Sequence, residues 1–119
     1  AQDVMRADDL PIVAPQTTLG DAVLCMSSGK LGLCIVVDGN KIKGIVTDGD
    51  IRRATTKHKT AFFDVSVEQA MSPSPVCVPP TTKVNKIIET MQDRKIHAVL
   101  VVDEAGSLIG IVDSFRCHV

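Results

Sequence analysis

The stretch Lys30-Leu31-Gly32-Leu33-Cys34-Ile35-Val36-Val37-Asp38 returns 65 residues later as Lys95-Ile96-His97-Ala98-Val99-Leu100-Val101-Val102-Asp103. Each copy is an almost unbroken apolar run closed by an aspartate, which reads as a strand covered on both faces. Upstream, Leu19, Ala22, Val23 and Met26 keep the same offset to Val84, Ile87, Ile88 and Met91. Both sets follow i, i+3, i+4, i+7, one face of an amphipathic helix. Downstream, one extra residue in the second copy moves the offset to 66, and Gly44-Ile45-Val46 matches Gly110-Ile111-Val112. Val4-Met5 matches Ala70-Met71 at that same spacing. A helix face, a strand, a turn and a second strand recurring in one order mark an internal repeat.

Each repeat opens on an extended piece, Ile12-Val13 before Pro15 and Val76-Cys77-Val78 before Pro79-Pro80. Helices are predicted over residues 18–28 and 82–94, with Thr18 and Thr82 as N-caps whose side-chain oxygens accept orphan N–H groups. Strands follow at 34–37 with 42–46, and at 99–102 with 108–112. Asp38-Gly39-Asn40 and Glu104-Ala105-Gly106 supply the turns. A second helix is predicted over 48–57; its counterpart would start near Asp113 and be short or truncated. The expected fold is α+β, two β-α-β-β-α repeats at 1–57 and 66–119 joined by a linker at 58–65. One such repeat buries too little surface to stand alone, so the two are expected to pack through their sheets.

Composition narrows the function. The chain has 119 residues, 45% hydrophobic and 23% charged, and a net charge of -1 from 13 basic and 14 acidic side chains. Nucleic-acid binders carry a basic excess, so that class is not expected. Three phenylalanines without Tyr or Trp make a poor stacking platform for bases or sugars. Cys25, Cys34, Cys77 and Cys117 form no C-x-x-C pair; most sit in apolar runs and read as reduced, buried small hydrophobes. That usage points to a reducing compartment. Neither a membrane span nor a leader peptide is expected.

The stretch Gly44-Ile45-Val46-Thr47-Asp48-Gly49-Asp50-Ile51-Arg52-Arg53 carries the chemistry. A strand runs into a helix after Thr47, and free N–H groups at a helix start favour an anion. Thr47 adds a hydroxyl, Asp50 a carboxylate able to accept both hydroxyls of a ribose, and Arg52 and Arg53 cations for phosphate. The same Thr-x-x-Asp spacing is close to a capping box, in which Thr47 and Asp50 only complete the helix start. Asp48 and Asp50 fail as a catalytic dyad, because alternate residues at a helix start point apart. No activated nucleophile is visible either.

The paired β-α-β-β-α pattern, with G-h-x-T-x-x-D after the third strand, resembles the CBS domain pair (Bateman module). The resemblance implies pseudo-twofold packing of the sheets and, commonly, disc-like homodimers. It implies that Thr47 and Asp50, with Gly44 opening the motif, contact the phosphate and ribose of a nucleotide. It also brings Met71, Ser72, Pro73 and Val76 to the cleft border, together with Lys95, His97 and Ala98; His97 serves equally well as a packing residue. The second repeat departs from the motif: Asp113 replaces the Thr and Arg116 the Asp, so one competent site is expected. Asp3-Val4-Met5-Arg6, Leu10-Pro11 and the Thr-Asp-Gly-Asp-Ile-Arg-Arg run are similar to the C-terminal part of bacterial arabinose-5-phosphate isomerases. That similarity implies a bacterial cytoplasmic protein with an N-terminal sugar isomerase (SIS) domain outside this chain. The enzyme's product feeds synthesis of Kdo, an acidic sugar of lipopolysaccharide and capsule. The implied effector is CMP-Kdo or an adenine nucleotide, with no cofactor and no metal; a purely structural dimerisation module is the alternative.

Overall fold

The structure is a computed structural model and describes residues 5, 7, 10–29, 32–73, 75–96 and 98–113. The chain divides into two compact units, one spanning Asp9–Ser74 and the other Pro75–Val119 with the N-terminal Ala1–Asp8. The expected final helix, with Phe115, Arg116, Cys117 and His118, lies outside the described residues, as does His97.

In the first unit a four-stranded sheet runs in the order β1 (Ile12–Val13), β2 (Leu33–Asp38), β3 (Lys41–Thr47), β4 (Ser72–Pro73). β1 is parallel to β2, because helix α1 (Leu19–Gly29) returns the chain between them. β2 and β3 form an antiparallel hairpin whose turn places Gly39 at φ 62°. That left-handed conformation suits glycine, which has no Cβ to clash. Helix α2 (Asp48–His58) follows β3 directly. Residues 33–36 of β2 are buried, as expected, whereas β3 alternates from exposed to buried and has one wetter face. Leu19, Ala22 and Met26 of α1 pack with Cys34, Val36 and Val46 of the sheet, the face that the 3.6-residue periodicity marks.

The expected linker is folded. Residues Lys59–Asp64 form a 3-10 helix that buries Phe62 among Leu19, Val46 and Ala54. Leu19 donates its N–H to the Val65 carbonyl at 2.8 Å, and Val67 donates to Thr17 at 2.7 Å. A short helix α3 (Val67–Ala70) then delivers the chain to β4.

The second unit repeats the frame as β5 (Cys77–Val78), α4 (Val84–Arg94), β6 (Ala98–Val102) and β7 (Leu108–Asp113), with sheet order β5-β6-β7. The match extends to hydrogen-bond register. Ile12 faces Ile35 as Cys77 faces Leu100, and a bulge falls at Val36/Val37 in one hairpin and Val101/Val102 in the other. Ile87 and Met91 bury against Val99, Val101 and Val112, and Met5 packs onto this cluster. One local expectation needs correction. Lys83, not Thr82, is the N-cap of α4. The Thr82 N–H donates to the Pro79 carbonyl at 3.1 Å, so the turn imposed by the proline pair extends past Thr82 before the helix begins.

Candidate functional site

The junction of β3 and α2 gathers most of the residues singled out above. Gly44 is buried on β3 opposite Pro73 of β4. A Cβ at Gly44 would stand 2.6 Å from the Ser72 carbonyl oxygen and 2.8 Å from the Met71 sulfur, so β4 can approach only a glycine. Ile45 pairs with Ser72, and Val46 is fully buried opposite Cys34.

Thr47 is the N-cap of α2 and Asp50 its third residue, joined as a capping box. Asp50 is only 3% exposed. Its Oδ2 accepts the Thr47 N–H at 2.9 Å and the Thr47 hydroxyl at 3.1 Å. Its Oδ1 accepts the Ser72 hydroxyl at 2.8 Å and a guanidinium N–H of Arg53. An ionised carboxylate has about four acceptor positions, so protein donors occupy Asp50 fully. Asp48 and Asp50 lie in the first helical turn, Lys57 and His58 in the last, which complements the helix dipole. Two carboxylates at this helix start offset the pull of its dipole on an outside anion; Arg52 and Arg53, both exposed, supply positive charge beside it.

A cavity of about 190 Å³ opens beside the same helix start, lined by Val23, Met26, Ser27, Gly32, Asp48 and Ile51. It is smaller than the roughly 300–1,000 Å³ of sites that enclose drug-sized ligands, so it has room for one ring rather than a nucleotide. Asp48 alone of its lining was among the expected site residues. Val23 and Met26 carry a signal only as helix-face residues, which sequence reading assigns to the core. Gly32, at φ 67° and beside the Asp48 carboxylate, could have been flagged as a required glycine.

Met71, Ser72 and Pro73 belong to the unit that holds Thr47 and Asp50; Val76, Lys95 and Ala98 belong to the other. The Val76 carbonyl accepts the Leu100 N–H at 2.9 Å, and Ala98 pairs with Asp113 at the strand ends. Lys95 takes a left-handed conformation, φ 56° and ψ 44°, at the end of α4. Its N–H donates to Gln92 at 3.4 Å and the Ile96 N–H to Met91 at 3.0 Å, the two bonds of a Schellman closure. Of the three described thiols Cys34 is buried as expected, Cys25 is half-buried, and Cys77 is exposed, against the expectation. Burial, reinforced by Cys25 and Asp50, pushes Cys34 up to about 12, and burial also raises Cys25 and Cys77.

A doubled β-α-β-β frame with G-h-x-T-x-x-D at the β3–α2 junction defines a tandem-repeat module. The chain belongs to the CBS domain family, which matches residues 1–57 and 67–115. It is 33% identical over 119 residues to arabinose 5-phosphate isomerase KdsD of Yersinia pestis, a match covering 92% of this chain and 34% of that protein. It is 35% identical over 109 residues to arabinose 5-phosphate isomerase GutQ of Salmonella typhimurium, covering 91% and 33%. The chain thus spans about a third of the length of these relatives. Among solved structures it is similar to CBSX2 in complex with AMP, at TM-score 0.82 and 27% identity, covering 98% of this chain and 90% of that one. No helix among the described residues is long and apolar enough to cross a membrane.

Proposed function

We propose that this chain is a ligand-sensing module for a sugar-phosphate isomerase, binding a nucleotide or nucleotide sugar at the β3–α2 junction. The observation that carries the reading is the convergence of Thr47, Asp50 and Arg53 at one helix start, in the family's motif. Supporting it are relatives named arabinose 5-phosphate isomerases and a similar CBS protein solved with AMP. CMP-Kdo is the leading effector. Its cytidine ribose suits Asp50, and its phosphate and carboxylate suit Arg52 or Arg53. Its binding would inhibit the attached isomerase, closing a feedback loop on Kdo synthesis in the bacterial cytoplasm. The SIS domain is the partner in the full protein, and CBS pairs join as a homodimer. The functional repeats are 1–57 and 66–119, joined by 58–65, with one competent site, at Thr47 and Asp50.

The saturated state of Asp50 favours a second reading, an assembly module without ligand. Calorimetric titration with CMP-Kdo, CMP, AMP and ATP at matched ionic strength separates them. Selective binding of CMP-Kdo, lost in Asp50→Asn with folding intact, is the expected result. Preference for AMP or ATP would make the module an energy-linked sensor. A fragment that dimerises but binds none of the four would leave the assembly reading standing.

A further inference from the structure

We propose that Arg53 is a built-in competitor for the ligand at Asp50, so that the site selects phosphorylated nucleosides over free ones by exchange. The inference rests on the nucleotide-binding reading above. A ribose diol that bonds Asp50 must evict a donor already there, since all four acceptor positions are taken. The Oδ2 donors are the N–H and hydroxyl of Thr47, and releasing them undoes the start of α2. At Oδ1 the Ser72 hydroxyl is held by the pairing of β4 with β3. Arg53 is the donor that leaves most easily. Its side chain is 71% exposed and joins Asp50 only as an i, i+3 pair on the same helix, so a rotamer change returns it to water.

The Arg53 guanidinium is held against the helix dipole by its ion pair with Asp50. The guanidinium folds back toward the helix start, with Nη1 3.4 Å from the point where a Gly49 Cβ would lie. A cation near a helix N-terminus opposes the macrodipole, and Asp50 is the group that holds it there. Once a ribose hydroxyl takes the position Arg53 held on Oδ1, Arg53 is released beside the ligand. A nucleotide phosphate gives it a new charged partner; a neutral nucleoside offers none, and the lost ion pair counts against binding.

Arg53→Ala should therefore move two affinities in opposite directions. The test is ¹⁵N-NMR titration of the whole chain, wild type and Arg53→Ala, with AMP, adenosine, CMP and cytidine, following the Thr47 and Gly49 amides. The expected result is nucleoside binding about fivefold tighter in the variant, the factor of an exposed ion pair removed. Nucleotide binding should be about tenfold weaker, for loss of a charge-assisted contact. Arg53→Gln, a donor without charge, should fall between. Nucleoside binding that is unchanged or weaker in Arg53→Ala, while wild type binds nucleotide, overturns the competition alone. If neither protein responds to any of the four, the ligand reading of Asp50 falls and this inference with it.

Discussion

Replacing Asp50 by alanine tests how much of this junction is architecture. The carboxylate is buried and holds four donors from three elements: the end of β3, the second turn of α2 and the edge strand β4. Losing a cap of this kind costs about 1 kcal/mol, and losing bonds to a buried charged acceptor a further ~1.5–3 kcal/mol. Asp50→Ala should thus destabilise by about 3 kcal/mol. A domain of this size has stability on the order of 6–18 kcal/mol, so the loss is large. With a urea m-value of about 1–2 kcal/mol/M it moves the unfolding midpoint by roughly 2 M. Ser72→Ala removes one of the four bonds and should cost about 1 kcal/mol. In the Asp50→Ala background the Ser72 hydroxyl has already lost its acceptor, so the two costs should fall short of additive by about 1 kcal/mol. Urea unfolding of wild type, both single variants and the double variant measures that term. Additivity within ~0.3 kcal/mol would show that Asp50 and Ser72 do not bond in solution. An Asp50→Ala cost below ~0.5 kcal/mol would refute the buried, saturated carboxylate itself.

Two further expectations probe the surroundings. Lys95 holds a left-handed conformation that glycine adopts without strain, so Lys95→Gly should stabilise by about 1 kcal/mol. The melting temperature should rise by roughly 4 °C; a fall would show that the Lys95 side chain contributes more than its backbone conformation costs. Cys34, raised from 9.0 to about 12 by burial first and nearby Cys25 and Asp50 second, links stability to alkaline pH. Above pH 9 the unfolded thiol ionises while the folded one keeps its proton, so stability is intact below that point and drains as pH rises toward 12. The slope reaches at most about 1.4 kcal/mol per pH unit. Cys34→Ala should flatten the decline of the urea midpoint between pH 8 and 10.5, and parallel profiles would refute the protected thiol.

The frame was legible because its signal is repeated. An offset of 65 ties Ile12 to Cys77 and Ile35 to Leu100, and these residues occupy matching parallel pairs in the two sheets. The 3-10 helix was not legible. Its buried anchor Phe62 follows Lys57-His58-Lys59-Thr60, a polar stretch without periodicity, and its place is set by contacts with Leu19 and Ala54 far off in sequence. The same limit applies at the site. Thr47, Asp50 and Arg53 lie within about two turns of helix, so their spacing announced them. The Ser72 bond to Asp50 spans 22 positions and exists because β4 pairs with β3 beside a glycine.

The two readings of Thr-x-x-Asp, cap and ligand contact, are compatible once the acceptor count is considered. Asp50 uses one oxygen to hold the helix start and the other for Ser72 and Arg53. The first oxygen can keep the cap while the second exchanges donors, so binding need not undo the fold. In sequence, the second repeat carries Asp113 and Arg116 at the places of Thr47 and Asp50. Asp113 stands opposite Ala98 as Thr47 stands opposite Leu33, and it is 7% exposed. A carboxyl group there replaces the hydroxyl that Thr47 offers as a donor. On the proposed reading, a phosphate-bearing ligand would be directed to the first repeat by what the second puts in threonine's place, as well as by what the first supplies.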